Sequence, residues 1–510
     1  MRSGRAYIRL MRGATSWLAA GSMMLSGCTV GPRFRPEHME VGASFVEARH
    51  VATPDEIRRT NLELIDWWNR FNDPELTRLV TRAVEGNYDL KVAGQRILSE
   101  RALRDVQASA WYPQFDANAG GGDDRHSINI DNWPVRPGNP LNRPGASYLT
   151  YGASASWEID VFGRIRRSVQ AQEEAVRATI EDRRAILLTM LSSLVIDYLA
   201  LRDAQLRLDI ANRNIARADD AYRLSVRLYT EGVGNSLQTA QAKSELDTQA
   251  AAREPLKTTI SRLCHAIAVL LGEMPGNLES ELRAPARLPD VPAFPQALPS
   301  AVIANRPDIR AAERNYAEAT ARIGVAVAEL YPNFIIPLNF NPNASAMYQL
   351  FEAGGLSWKF LMLASMPLMH GGKITSQIRA ARAAAEASRL AYRKTVLNAF
   401  REVEDAMAAW HDDREYVELL HRAADDSALA NERARRLYAA GLTGFLDVLT
   451  TERTALEAEN AEATARLDHL RDAVTLYVAL GAGWQGMALT AQPLPVSLSQ
   501  QNTLARAFQQ

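Results

Sequence analysis

The sequence predicts an α+β membrane protein with a two-fold internal repeat, each copy holding two transmembrane β-strands and long coiled-coil helices. Three observations predict it. One turn motif occurs twice at a fixed spacing. Two very long stretches lack proline. Four segments alternate apolar and polar residues with the period of a strand.

The turn motif is "LYTEGVGNSLQTA" from Leu228 and "LYAAGLTGFLDVL" from Leu437, 209 residues apart. The same shift of 209 aligns Gly163 with Gly372, and "LLG" at 270–272 with "ALG" at 479–481. Further upstream, Asp89 and Asp308 each precede a Tyr-Pro proline by 24 residues, and Pro113 aligns with Pro332 at a shift of 219. The chain therefore reads as two copies of one unit, the first carrying ten extra residues between Pro113 and Gly163. The boundaries that follow are 1–27 for a signal peptide, 28–84 for an N-terminal segment and 85–272 for the first copy. A proline-rich linker takes 273–300, the second copy 301–481 and a C-terminal segment 482–510.

Between Gly163 and Gly232, and again between Gly372 and Gly441, lie 68 residues without proline. As single helices these would each be about 100 Å long. A seven-residue seam supports helix: Leu187, Leu194, Leu201, Leu208, Ile215, Tyr222 and Tyr229. Its counterpart is more polar: Val396, Val403, Trp410, Val417, Ala424, Asn431 and Tyr438. A seam sustained this long implies coiled-coil packing. Gly232 and Gly441 suit the residue just past a helix C-terminus. Asn235 or Ser236, and Thr443, suit the caps of the returning helices. Pro255 is expected to kink the first of these.

In "YLTYGASASWEIDVF", Leu149, Tyr151, Ala153, Ala155, Trp157, Ile159 and Val161 alternate with polar or small residues. Similar alternation follows Pro113 at Phe115, Ala117 and Ala119. It recurs at Phe334, Ile336, Leu338 and Phe340, and from Trp358 to Leu368. The expected strands are 114–124, 148–161, 333–342 and 356–368, long enough to cross a bilayer when tilted. The linking "PVRPGNPLNRPG" and "NPNASAMYQLFEAGG" would be outer loops. Four strands cannot close a transmembrane barrel, and an open edge is not tolerated in lipid. Three chains sharing one barrel would supply twelve strands.

The N-terminus carries Arg2, Arg5, Arg9 and Arg12, then the apolar "SWLAAGSMML", then "LSGC" ending at Cys28. This resembles the lipobox of bacterial lipoproteins. It implies cleavage before Cys28 and acylation of that residue, which anchors a protein without a spanning helix. Thr29 follows, where many retained lipoproteins carry aspartate. Removing residues 1–27 leaves 54 basic and 59 acidic residues, a formal charge of −5. This balance makes no electrostatic case for nucleic acid. Cys264 is the only other cysteine, so no internal disulfide can form once Cys28 is acylated. Its amphipathic surroundings mark it as a packed thiol.

With "WWNRFNDPELTRLVTRAVEGNYDL", "NRPDIRAAERNYAEATARIGVAVAELYP", "SWKFLMLASMPLMHGGK" and "LYAAGLTGFLDVLTTERTAL", the chain resembles the TolC/OprM outer-membrane efflux factors, in their NodT-like lipoprotein branch. The resemblance runs from about Cys28 to about Trp484. It implies a homotrimer with a 12-stranded β-barrel in the outer membrane and an α-helical tunnel through the periplasm. An equatorial belt would be built from the N-terminal segment, the linker and the C-terminal segment. Implied partners are a periplasmic adaptor (membrane fusion) protein and an inner-membrane pump; the implied role is passive conduction of small molecules, drugs or toxic compounds, to the exterior.

At the periplasmic tip the resemblance assigns gate positions. Asp447 matches a family acid that lines the narrowed end. Thr450 stands where a second acid is usual, Thr443 where an arginine is, and Gln238 where the first hairpin carries an acid. A single carboxylate ring is therefore expected, with Tyr438, Tyr229, Leu442 and Phe445 packing the tip. The plainer expectation for Asp447 is that it favours a helix N-terminus.

No phosphate loop, HExxH or G-x-S-x-G motif is present, so an enzyme is not expected, nor a cofactor or metal. His411 and His421 are expected on solvated helix faces. Two other readings stay open here: a type I protein-secretion channel, and a lipid-anchored periplasmic coiled-coil scaffold. The lipobox makes a direct prediction. Cys28→Ala should abolish incorporation of labelled palmitate, because no other residue offers the thiol; label entering the variant would refute the assignment.

Overall fold

The computed structural model describes residues 29–40, 42, 44–48, 64–124, 146–284, 287–293, 299–344, 352 and 357–487. Cys28 and most of the two expected outer loops lie outside these residues. The helices are α1 (Pro74–Gly86), α2 (Tyr88–Ser109), α3 (Arg164–Thr230), α4 (Ser236–Leu270), α5 (Glu279–Leu282), α6 (Pro299–Asn305), α7 (Pro307–Ala328), α8 (Lys373–Ala439) and α9 (Phe445–Ala479). The strands are β1 (Gln114–Asp124), β2 (Ala146–Ile159), β3 (Asn333–Phe340), β4 (Asn343–Ala344), β5 (Trp358–Phe360) and β6 (Leu363–Ser365).

The helices of the two copies match to the residue. Helices α3 and α8 each have 67 residues, α4 and α9 each 35, and α2 and α7 each 22. The aligned glycines Gly163/Gly372, Gly232/Gly441 and Gly272/Gly481 all have positive φ, between 71° and 85°. A side chain there would be strained, which is why glycine stands at all six positions.

One compact unit comprises the chain to Glu37, Ser99–Arg177 and Glu313–Ala391. It holds the sheet, in the order β1-β2-β3-β5, all antiparallel. The register sets Phe115, Ala155, Leu338 and Phe360 in one cross-strand row. The next row is Asp116, Ser154, Asn339 and Lys359, and the next Ala117, Ala153, Phe340 and Trp358. Alternate rows are thus apolar and polar across all four strand lines, as the period-two pattern requires. Trp157, expected on the apolar face, pairs with Ile336 and donates from Nε1 to the Trp111 carbonyl at 2.9 Å.

The second copy's strands are shorter than the expected 333–342 and 356–368, and prolines explain both interruptions. Leu361 donates to the Pro337 carbonyl at 3.2 Å, but Pro337 has no N–H to return. The fourth line therefore breaks between β5 and β6, although its register on β3 stays in step. Pro342 interrupts the third line between β3 and β4 in the same way, again without a register shift. Met366–Leu368 do not join a strand. Among the described residues, β1 and the β5/β6 line each have one open edge.

In this unit the segment just after Cys28 is fixed in place. Val30 donates to the Phe162 carbonyl at 3.2 Å. A Cβ on Gly163 would meet the Thr29 side chain at 2.5 Å, and one on Gly31 would meet the Gly324 Cα at 2.5 Å. Asp160 caps α3, accepting from the backbone N–H of Ile165 at 3.1 Å and of Arg166 at 2.8 Å.

The other unit comprises His38–Leu98, Ala178–Ala312 and the chain from Tyr392 onward. Its core joins Trp67, Phe71 and Leu76 from the N-terminal segment to Leu278 and Leu282 of the linker and Ala482 of the C-terminal segment. Leu187–Leu201 of α3, Cys264 of α4, Val403 of α8 and Tyr477 of α9 complete it. Trp67 is fully buried and stacks on Tyr477, with ring centroids 5.3 Å apart. Trp484 lies under the guanidinium groups of Arg184, at 4.3 Å, and Arg310, at 5.2 Å. Cys264 is buried, and burial pushes its thiol up.

The seam residues Leu187, Leu194, Leu201, Val396, Val403 and Trp410 are buried. Further along, Leu208, Ile215, Tyr222, Val417, Ala424, Asn431 and Tyr438 are half-buried. On α3 the buried row moves to Ile210, Asn214, Ala218 and Ser225. A helix of 3.6 residues per turn drifts from a seven-residue repeat in this way. The same helix contains a stretch apolar enough to cross a membrane by length and composition, and half of that stretch is buried in the core. Pro255 lies inside α4, which continues through it as one helix. His421 is exposed as expected, whereas His411 is half-buried beside Trp410.

The register yields a paired test. Ala155→Arg places charge on the apolar face, at a cost of up to about 2–4 kcal/mol near a bilayer midplane, and Phe360→Asp does so at a smaller cost. Ser156→Arg, on the other face, should be tolerated. Yield of heat-modifiable protein in outer-membrane fractions reads the difference, and equal loss in both sets would contradict the assignment of faces.

Candidate functional site

Each copy ends its long helix in the same hydrogen-bonded turn. Gly232 donates to the Tyr229 carbonyl at 3.1 Å and Val233 to that of Leu228 at 2.9 Å. Gly441 donates to Tyr438 at 2.9 Å and Leu442 to Leu437 at 2.9 Å. These are Schellman pairs, which satisfy carbonyls that a helix end otherwise leaves open.

The restarts differ. In the first hairpin Asn235 caps α4, its Oδ1 accepting from the Gln238 backbone at 2.9 Å. In the second, Thr443 is not the cap. Gly444 holds that position, and the third residue of α9, Asp447, reaches back to it. Asp447 Oδ2 accepts from the Gly444 N–H at 3.1 Å and from the Thr443 hydroxyl. Glycine has no side chain to complete the reciprocal half of a capping box, so the carboxylate supplies the side-chain half alone, beside a backbone bond from the Asp447 N–H to the Gly444 carbonyl at 3.2 Å. These two hydrogen bonds, Thr443 first and Gly444 second, hold the Asp447 carboxyl below its ordinary range.

Tyr438 and Phe445 meet across the second turn with ring centroids 5.6 Å apart. Phe445 is buried, Tyr438 half-buried, and burial raises the Tyr438 hydroxyl's pKa. Thr450 donates to the Leu446 carbonyl at 2.8 Å and is exposed. Gln238 is half-buried. Leu442 is 74% exposed and Tyr229 51% exposed, so neither packs within the chain. The turns also expose Val233, Leu237 and Leu446. The predicted gate set thus divides. Asp447, Thr443, Tyr438 and Phe445 form one local cluster, whereas Tyr229 and Leu442 face outward.

One charged group here went unnoticed in the sequence. Glu452 is only 6% exposed, in line with the buried Phe445, Val448 and Leu456 of α9. An acid in that apolar i, i+3, i+4 row was the available signal. It opens on a cavity of about 670 Å³ whose lining includes Arg217, Asn431, Arg435, Glu459 and Glu462. Burial raises its carboxyl pKa, against the pull of Arg435 and Arg217.

Removing the Asp447 carboxylate should loosen the second turn. In Asp447→Ala, hydrogen-exchange protection across the first turn of α9 should fall. The wild type should lose the same protection as pH drops below the ordinary carboxyl value of 3.8, because a lowered native pKa stabilises only while the group is ionised. Unchanged protection in the variant would remove the capping role.

Comparison with known proteins places this geometry. The family model for outer membrane efflux proteins matches residues 79–273 and 298–482. The Nodulation protein T of Rhizobium leguminosarum bv. trifolii is 26% identical over 471 residues, covering 92% of this chain and 97% of that protein. The toluene efflux pump outer membrane protein TtgF of Pseudomonas putida is 27% identical over 488 residues, covering 93% and 97%. Among solved structures, the outer-membrane channel OprN superposes with a TM-score of 0.79 at 32% identity, covering 90% of this chain and all of that one. The open state of the Neisseria gonorrhoeae MtrE outer membrane channel gives 0.76 at 25%, covering 91% and 100%. The chain therefore belongs to the outer membrane efflux proteins, the outer-membrane channels of efflux pumps.

Proposed function

We propose that the chain is the passive conduit of a tripartite efflux system, releasing small organic molecules outside the cell. A periplasmic adaptor protein and an inner-membrane pump would deliver them. The carrying observation is the sheet: one apolar face, one polar face and, among the described residues, two open edges. Such a sheet is stable in lipid only when copies close its edges, and three copies give a barrel of twelve strands. The polar rows then line the lumen. The relatives named for toluene, solvent and antibiotic efflux favour small, largely apolar cargo.

Lipid attachment at Cys28 suits this placement. Thr29 lies against Gly163, four residues past the end of β2, so acyl chains on its neighbour would start close to where a strand ends. The N-terminal segment, linker and C-terminal segment share one core, in keeping with an equatorial belt.

At the far end of the channel, three Asp447 carboxylates would form a ring that draws cations and opposes large anions. The group is exposed and its lowered pKa keeps it ionised at neutral pH. Planar-bilayer recordings test the reading. The wild type should form cation-preferring pores, and Asp447→Asn should lower that preference and weaken block by polyvalent cations. Absence of pores would overturn the conduit itself; pores with unchanged selectivity would leave Asp447 only its capping role.

A further inference from the structure

The cavity that Glu452 opens on is built in levels, because α8 and α9 run antiparallel away from Gly441. Asn431 and Glu452 stand ten residues before and eleven after that glycine, so they share one level. Glu459 lies two turns farther from Gly441, opposite Ala424. His421 and Glu462, twenty residues before and twenty-one after Gly441, bond at 2.9 Å and confirm the alignment. Arg217 of α3 joins the lining.

Five carboxylates and three arginines line this space of about 670 Å³. Most are matched. Arg436 pairs with Glu432, and Arg217 donates to Asn214 at 3.3 Å. His421 bonds to Glu462 and stands 3.7 Å from Asp425. Glu452 is not matched. It is 6% exposed, and Arg435, Arg217 and Glu245 of α4 act on it only at a distance, without a hydrogen bond. The Asn431 Oδ1, at the same level, is buried without a donor. Glu459, half-buried, also has no partner among the described residues. Buried acceptors without donors are costly, and carboxylates more so. Three such groups on one cavity require a cation rich in donors.

We propose that this cavity binds an aliphatic diamine, with one ammonium between Glu452 and Asn431 and the other on Glu459. An ammonium carries three donors and no acceptor, which is what orphaned acceptors need. The two carboxylates are seven residues apart on α9, about 10 Å, within reach of a short polymethylene chain charged at both ends. Ala428, Ala455 and Leu456 line the cavity between the two levels and offer the methylene groups an apolar wall. The lining holds no aromatic ring, so aromatic or quaternary cations find no π face. Among the described residues no group of three or more metal-ligating side chains is suited to a metal ion, so the cation is organic.

Titration calorimetry of the full-length protein in detergent tests this, with cadaverine as the probe. One cadaverine should bind per chain at about 0.15 M salt, which screens attraction to exposed charges. Pentylamine, with a single ammonium, should bind about tenfold or more weakly, as should cadaverine to Glu452→Gln and to Glu459→Gln. Glu457→Gln, on the exposed face of α9 between them, should leave binding unchanged. The proposed ring of Asp447 would draw cations separately, so Asp447→Asn should bind cadaverine as the wild type does. No binding would overturn the proposal and leave Arg435 as the group that answers Glu452. Equal affinity for pentylamine, wild-type binding in both glutamine variants of the cavity, or binding lost with Asp447 would overturn it too. If Glu452→Gln does not fold, Glu459→Gln and the comparison of the two amines decide.

Discussion

A β-strand edge in hydrocarbon has no water to satisfy its amides and carbonyls, and the structure follows from that constraint. Among the described residues the chain carries a sheet of four strand lines whose outer two each leave an edge free. The sheet's apolar rows suit lipid and its polar rows suit water, so it belongs at a boundary between the two. Neither property can be exercised by one chain alone. On the proposed barrel, the channel is a property of the assembly and the single chain is one sector of it.

The internal repeat fits the chain to that role. Two copies of a strand pair and a helical hairpin form each sector, and positive-φ glycines set the corners at matching places in both. The copies then diverge where nothing in the backbone forbids it. The first hairpin restarts on an asparagine cap and the second on a glycine with a carboxylate reaching back. The strands of the second copy are interrupted by prolines, yet the register persists across both breaks.

Much of this was legible in the sequence, because periodicity reports directly on which face is buried. The 67-residue helices, the period-two strands and the six glycine corners could all be read from residue spacing. The lengths of the second copy's strands could not, since the alternation runs on through the breaks that the missing donors of Pro337 and Pro342 make in the ladder. Thr443 looked like a helix cap because threonine suits the position; Gly444 displaced it once Asp447 could satisfy the turn from the other side. Glu452 escaped because seam reading looks for apolar residues. Acids in a buried row show only when helices are placed side by side. Trp67 and Tyr477 meet across 410 residues, a pairing that local pattern does not encode.

That last contact has a consequence in time. Trp67 is among the first large buried side chains of the described residues, and its stacking partner is among the last. Loop-closure entropy must be met before such distant contacts reward it. The core that gathers the N-terminal segment, the linker and the C-terminal segment cannot close until almost the whole chain is present. Until then Trp67, Trp68 and Phe71 have no interior to enter. In a chain that emerges N-terminus first, Trp67 waits for the last long helix before its stack on Tyr477 can form.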